Sequence, residues 1–322
     1  MTISINVSEE PDNRWNERLV TTGFGTIYQS KEIAQHFRNN KQNPIFLQFI
    51  DNKGNIVGQI LIRDHFRIIS GAKGKFIKKF FGKKKICEWA YGPIVFNEYF
   101  KNEIYEQFGN FLLKKKYTVS GVENPLSPSG VTSIKNNFNI TPWKTFLIDL
   151  TQHRDILYQN ISKHNGRKNI ERSEKRGVII EEINEHSLEE YCTLGNQSMG
   201  KSNNGGISYE NLLNYWKINK SLGYSGFLAR KDGECIGGLL FSFFCGHIIE
   251  GGVVRSKLDL DEHLYSQDLI KWKIITWGNE NKMKFYNLAG FNPNPQSKKE
   301  EGIQIYKKKW GGLEVDYSLI RK

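Results

Sequence analysis

The sequence predicts an α+β chain in which one unit is built twice, giving mixed, mainly antiparallel sheets flanked by helices. Three observations predict it. Residues 227–241, FLARKDGECIGGLLF, read as a β-hairpin: an apolar strand, a charged turn at Lys231-Asp232-Gly233, and a second strand from Cys235 with its apolar residues almost unbroken. Such a run suits a strand buried on both faces. Residues 46–62, FLQFIDNKGNIVGQILI, repeat the pattern, pairing Gly54 with Gly233, Gly58 with Gly237 and Leu61 with Leu240. The correspondence then continues downstream. YGPIV at 91–95 matches EGGVV at 250–254, a long helical pattern follows each, and KYTVSGVENP at 116–125 aligns without a gap on KFYNLAGFNP at 284–293. A chance likeness between hairpins would not extend through four elements in one order, so an internal duplication is the better reading. We place one domain at 1–150 and the second at 151–322.

Taken in order, residues before Trp15 read as a loose arm, and 30–37 as a short helix with Ser30 at its N-cap. After the first hairpin comes RIISGAKGKFIKKFFGKKK at 67–85, the densest basic stretch of the chain. Its glycines favour a loop or hairpin, and its lysines suit phosphates or anionic lipid as well as a solvated surface. Residues 88–95 form the next strand. Residues 99–115 form a helix with apolar positions at Ile104, Phe108, Phe111 and Leu112, and 117–122 a strand.

The second half opens with a helical pattern at 155–176. Within it Ile161 and Ile170 face the core, and Arg167 and Arg172 share a side. Gly177 stands where a C-cap glycine belongs. A polar loop at 200–208, a helix at 211–221, the second hairpin, an aromatic-rich helix at 259–279 and a strand at 284–288 follow. The tail GIQIYKKKWGG at 302–312 reads as extended, with Lys307 and Lys309 to one side and Lys308 to the other, before a final strand at 313–320.

The chain has 322 residues, enough for two cores, and a formal net charge of +12 that favours polyanionic partners. Its four cysteines, at 87, 192, 235 and 245, are scattered and read as buried thiols of a reducing compartment. The polar first residues lack a signal core and no apolar run reaches spanning length, which points to a cytoplasmic protein, with contact at an inner membrane face left open. No GxSxG elbow, HExxH motif, clustered histidine ligands, P-loop or GxGxxG occurs, so no metal or nucleotide cofactor is expected. Cys245 and His247, two apart on an expected strand, would share a face, more simply as a buried thiol beside a satisfied histidine than as a catalytic pair.

YGPIV at 91–95, RKNIERSEKRGV at 167–178 and GIQIYKKKWGG at 302–312 together resemble the Fem family, the non-ribosomal peptidyltransferases of peptidoglycan cross-bridges. The duplicated unit resembles the tandem acetyltransferase-like (GNAT) fold. The resemblance implies an aminoacyl-tRNA donor and an amine acceptor on a UDP-linked or lipid-linked muropeptide. It implies that Lys307 is the catalytic cation of the tail, that Tyr91 and Arg172 hold the phosphate-bearing end of the acceptor, and that Arg167 and Tyr306 complete the substrate site. Where the family can carry an aspartate after the GP turn, this chain has Phe96 followed by Asn97, and the coiled-coil arm of some members has no counterpart. Two other readings use the same fold: an acyl-CoA-dependent N-acyltransferase, and a non-catalytic RNA-binding protein. Against the first, ordinary acetyltransferases bind pyrophosphate with a [QR]xxGx[GA] loop before the long helix, and here 254–259 reads VRSKLD.

Overall fold

The computed structural model describes residues 3–66, 85–198 and 206–322. The basic stretch at 67–84 and most of the loop at 200–208 lie outside the described residues. The chain divides into two compact units, Met1–Lys144 with Asp316–Lys322, and Thr145–Val315.

The first unit starts with β1 (Ser4–Ser8), which pairs antiparallel with β2 (Asn43–Ile50). The residues expected to be a loose arm are thus partly a strand: polar Ser4, Asn6 and Ser8 alternate with Ile3, Ile5 and Val7, and Ile3 is buried in the core of the first unit with Ile5 packed against it. β2 turns into β3 (Ile56–Phe66) with Phe46 opposite Leu61. The turn is built by Asp51, whose Oδ1 accepts the N–H groups of Lys53 and Asn55 at 2.9 and 2.8 Å, and by Gly54 at φ 84°. β4 (Lys85–Trp89) is antiparallel to β3, and β5 (Ile94–Val95) rejoins β3 after the Gly92-Pro93 break. β6 (Thr118–Val122) runs parallel to β4, so the chain must cross over between them, and the helix Lys101–Lys114 makes that crossover. Its Ile104, Phe108 and Leu112 are buried against Phe49, Ile60 and Ile62 of the sheet. The short helix expected at 30–37 starts instead at Ile33, with Glu32 at its N-cap; Ser30 closes a 3-10 turn, Ile27–Gln29.

In this unit Gly121 faces the Trp89 indole so closely that a Cβ would lie 2.0 Å from two ring atoms. Trp89 is itself held by its indole N–H on the Gly92 carbonyl at 3.0 Å. Gly121→Ala is expected to force the ring from its place and lower stability by about 1–3 kcal/mol, measured as a shift in the urea midpoint at unchanged slope.

The second unit takes up the end of β7 (Asn139–Asp149) and adds β8 (Ile179–Glu182), β9 (Tyr224–Lys231), β10 (Glu234–Phe244), β11 (His247–Arg255) and β12 (Phe285–Asn287), in the spatial order β7-β12-β11-β10-β9-β8. β9 and β10 form a hairpin over Asp232 and Gly233, both at positive φ, the geometry that matches strand twist. β10 pairs antiparallel with β11, the helix Ser266–Glu280 crosses over, and β12 lies parallel to β11. The residues of β10 from Ile236 to Ser242 are all buried. β13 (Leu313–Arg321) then returns to the first unit, where its end pairs antiparallel with β6, as β7 pairs with β12 in the second.

Both units therefore show one pairing sequence: antiparallel, antiparallel, parallel through a helix, antiparallel. The duplication read from the residues is a duplication of topology. The aligned segments at 91–95 and 250–254 are also equivalent. In one the strand breaks between β4 and β5. In the other, register slips between the pairs Leu239–Val253 and Phe241–Glu250, so Gly251-Gly252 form a bulge.

Cys245 and His247 do not share a strand. Cys245 and Gly246 make the turn between β10 and β11, at φ 53° and 79°, because a tight reversal needs the left-handed region there. Cys87 and Cys192 are buried, whereas Cys235 and Cys245 are only half-buried. Among the described residues no helix is long and apolar enough to cross a membrane.

Candidate active site

The tail at 302–312 is not extended. A helix, Lys298–Lys308, begins at Ser297, whose hydroxyl accepts the Glu300 N–H at 3.3 Å. The alternation of Ile303 and Ile305 that reads as a strand leaves both side chains largely outside the core; Ile305 is 63% exposed. Gly311 and Gly312, at φ 73° and 95°, then turn the chain into β13. A Cβ on Gly312 would come within 2.7 Å of the Leu147 carbonyl, so the close approach itself requires glycine. Lys307 and Lys309 are buried and Lys308 is exposed, and the cause is the last helical turn and not a pleat.

Lys307 Nζ donates to the carbonyls of Leu288, Ala289 and Gly290 at 2.6, 3.0 and 3.0 Å. An ammonium has three protons, and each meets one carbonyl. Those carbonyls converge because Ala289 takes φ 58°, and because Asn287 Oδ1 accepts both the Ala289 N–H, at 2.9 Å, and the Thr145 hydroxyl, at 2.6 Å. Burial pulls the Lys307 pKa down to about 8, against the opposing charge of Glu250.

Around the same helix end lie two buried ion pairs. Lys271, 1% exposed, meets Glu250, which also accepts the Tyr286 hydroxyl at 2.8 Å. Lys309 meets Asp268, which also accepts the Asn169 amide at 3.1 Å. Burial pushes the Asp268 carboxyl up and the Lys309 ammonium down, and each charge resists the other's shift. The Tyr306 ring lies against both cations, 4.1 Å from Lys309 Nζ and 5.2 Å from Lys271 Nζ. Its hydroxyl is buried without a well-formed hydrogen bond, and burial holds it neutral far above neutral pH.

Arg167 ends a π-helical turn, Lys163–Arg167, with its guanidinium 5.9 Å above Tyr158 and its buried Nε unpartnered. Arg172 lies on the helix Lys168–Lys175, exposed, 3.5 Å from Asn169 Oδ1 and 5.9 Å above Tyr265. Through Asn169 it adjoins the Asp268–Lys309 pair. Ile161 and Ile170 face the core, each 1% exposed. The structure thus gathers Tyr306 and Lys307 about one polar interior of the second unit, with the exposed Arg172 bordering it through Asn169. Tyr91 belongs to the first unit, at φ 54°, with its ring stacked 5.4 Å from Tyr28.

The residues missed by sequence reasoning are Lys271, Glu250 and Asp268. A signal was present: Lys271 falls on the face of its helix that carries Ile270, Ile274 and Ile275, where an unpaired ammonium could not be buried. Asp259 was missed too. It is fully buried, meets Arg255, and its Oδ1 accepts the N–H of Ser266, the first residue of the long helix, at 2.9 Å.

These features make a tandem acetyltransferase-like (GNAT) fold: two copies of one α+β unit, with mostly antiparallel sheets and a crossover helix in each. No family model and no curated protein matches the chain. Among solved structures the crystal structure of FemX is similar at TM-score 0.71 and 11% identity, over 97% of this chain and 96% of that one. L-PGS from Bacillus licheniformis is similar at TM-score 0.55 and 13% identity, over 98% and 93%. A tandem GNAT protein from the clavulanic acid biosynthesis pathway is similar at TM-score 0.57 and 9% identity, over 98% of each chain. At such identities the likeness speaks to the fold.

Proposed function

We propose that the protein is an aminoacyltransferase that moves an amino acid from aminoacyl-tRNA to an amine, with a UDP-linked or lipid-linked muropeptide as acceptor. The observation that carries this reading over a CoA-dependent one is the anion already in place at the start of the long helix. Where an ordinary acetyltransferase would seat a pyrophosphate on backbone N–H groups, Asp259 caps the helix Ser266–Glu280 through Ser266 and is itself bound by Arg255. A diphosphate would have to displace a buried carboxylate. An acyl group carried on tRNA does not need that position.

An aminoacyl ester is already activated, so the chemistry needs no ATP. The neutral amine attacks the ester carbonyl, a C–N bond forms, the C–O bond to the ribose breaks, and the amine proton passes to the leaving oxygen through the neighbouring ribose hydroxyl. Negative charge develops on the carbonyl and ribose oxygens. Lys307 supplies the charge that meets it, one of its three carbonyl partners giving way to the substrate oxygen. Arg172, Arg167 and Tyr91 bind phosphate-bearing parts of the substrates, and Tyr306 lines the site. The net charge of +12 suits a tRNA acceptor stem, recognised chiefly through its phosphates.

Incubation with charged tRNA and a UDP-linked muropeptide is expected to add one aminoacyl residue to the acceptor, read by mass. Transfer from acyl-CoA instead, or retention of tRNA without any product, would replace this reading with a CoA-dependent enzyme or an RNA-binding protein respectively.

A further inference from the structure

The first unit holds a pocket of about 360 Å³ beside the 91–95 segment, whose Val95 N–H is bound by Ser127 Oγ on the pocket wall. Pro125, Pro142 and Tyr317 are among its walls, and Glu123, 2% exposed, lines it. Glu123 Oε1 accepts the hydroxyls of Tyr105 at 2.7 Å and Ser129 at 2.6 Å. Burial and the carboxylate beside it hold the Tyr105 phenol protonated, so it remains a donor. Among the described residues no hydrogen bond reaches Oε2, and no lysine, arginine or histidine pairs with Glu123.

The other polar groups of the pocket do not fill that need. Asn124 is occupied by the Phe24 carbonyl at 2.6 Å and the Leu126 N–H at 2.9 Å, Ser127 Oγ accepts the Val95 N–H, and Asp316 adds a second carboxylate, 3.4 Å from Lys144 at the surface. A buried carboxylate with two neutral donors and no counter-charge is costly, and a cation beside it removes that cost. A cavity of this size is ample for a small organic cation.

We infer that this pocket binds a primary ammonium group on an aliphatic chain, with the ammonium on Glu123 Oε2 and the chain against Pro125, Pro142 and Tyr317. The site requires both a charge and N–H donors, which a neutral alcohol lacks. The inference does not rest on the transferase reading, because binding is measured at equilibrium without any acyl donor.

The test is titration of the full chain at pH 7.5, by calorimetry and amide NMR, with n-butylamine, Nα-acetyl-lysine methylamide and pentan-1-ol. At least one amine is expected to bind ten-fold or more tighter than pentanol and to move the amide signals of Glu123, Ser127 and Ser318. Binding of butylamine alone assigns the site to a free small amine, and binding of the lysine derivative to a peptide-borne one. Glu123→Gln keeps an oxygen for Tyr105 and Ser129 and is expected to weaken amine binding at least ten-fold. Equal affinity for amine and alcohol, no binding at all, or an unchanged affinity in Glu123→Gln would overturn the assignment. The wild-type comparison of amine with alcohol decides even where the variant does not fold.

Discussion

Replacing Lys271 with methionine is expected to destabilise the second unit by about 3–5 kcal/mol. Lys271 is 1% exposed and the side chain of its partner Glu250 is also buried, so the substitution leaves a buried carboxylate whose remaining direct hydrogen bond is from the Tyr286 hydroxyl, with the Lys307 charge farther off. The effect should come from the stranded charge and not from lost attraction. The double variant Lys271→Met, Glu250→Gln is therefore expected to recover most of the loss. Urea midpoints of the two single variants and the double variant check it. A double variant as unstable as the sum of the singles would mean that the two residues are uncoupled, and would sink the stranded-charge account.

Lys307→Met is expected to lower aminoacyl transfer about 100-fold, the usual effect of removing one charge-stabilising donor. It also leaves the carbonyls of Leu288, Ala289 and Gly290 without a donor, at about 1–3 kcal/mol for each that stays buried. A loss of stability alone could mimic a loss of chemistry, so the pH profile separates them. Below pH 8 Lys307 is charged, and the rate should rise ten-fold per unit as the acceptor amine, with a pKa of about 10.4, becomes neutral. Above about 8 the charged fraction of Lys307 falls ten-fold per unit, and the two trends cancel. The logarithm of the rate should thus climb with unit slope and flatten near pH 8. Lys307→Met should retain a residual rate with no break there. A wild-type profile that climbs unbroken to pH 10 would remove Lys307 from the chemistry.

The fold was legible where one residue pattern allowed one structure. The two hairpins, each with turn residues that accept positive φ, and the two long helices carry their own punctuation, and their order alone implied the repeat. The tail was not legible, because Ile303 and Ile305 alternate as in a strand while facing out of a helix. The better signal was Ser297 followed three residues later by Glu300, a capping box. β1 carried a signal that was missed: Ile3, Ile5 and Val7 alternate with Ser4, Asn6 and Ser8, the period of a strand, over a run too short to stand out. The polar interior was half legible. Lys307 and Arg172 stand in motifs that can be read as strings, but Glu250, Asp268 and Lys271 acquire meaning only when strands and helices bring them together. Their charges made them look exposed.

The return of β13 to β6 sets the order in which the molecule can be completed. Leu319, Ile320 and Arg321 supply the last rung of the first unit's sheet, and Ile320 is wholly enclosed there. During synthesis the first unit must therefore wait, with β6 an open edge, until residues 316–322 have left the ribosome. A nascent chain halted anywhere before residue 316 would offer that edge to other chains.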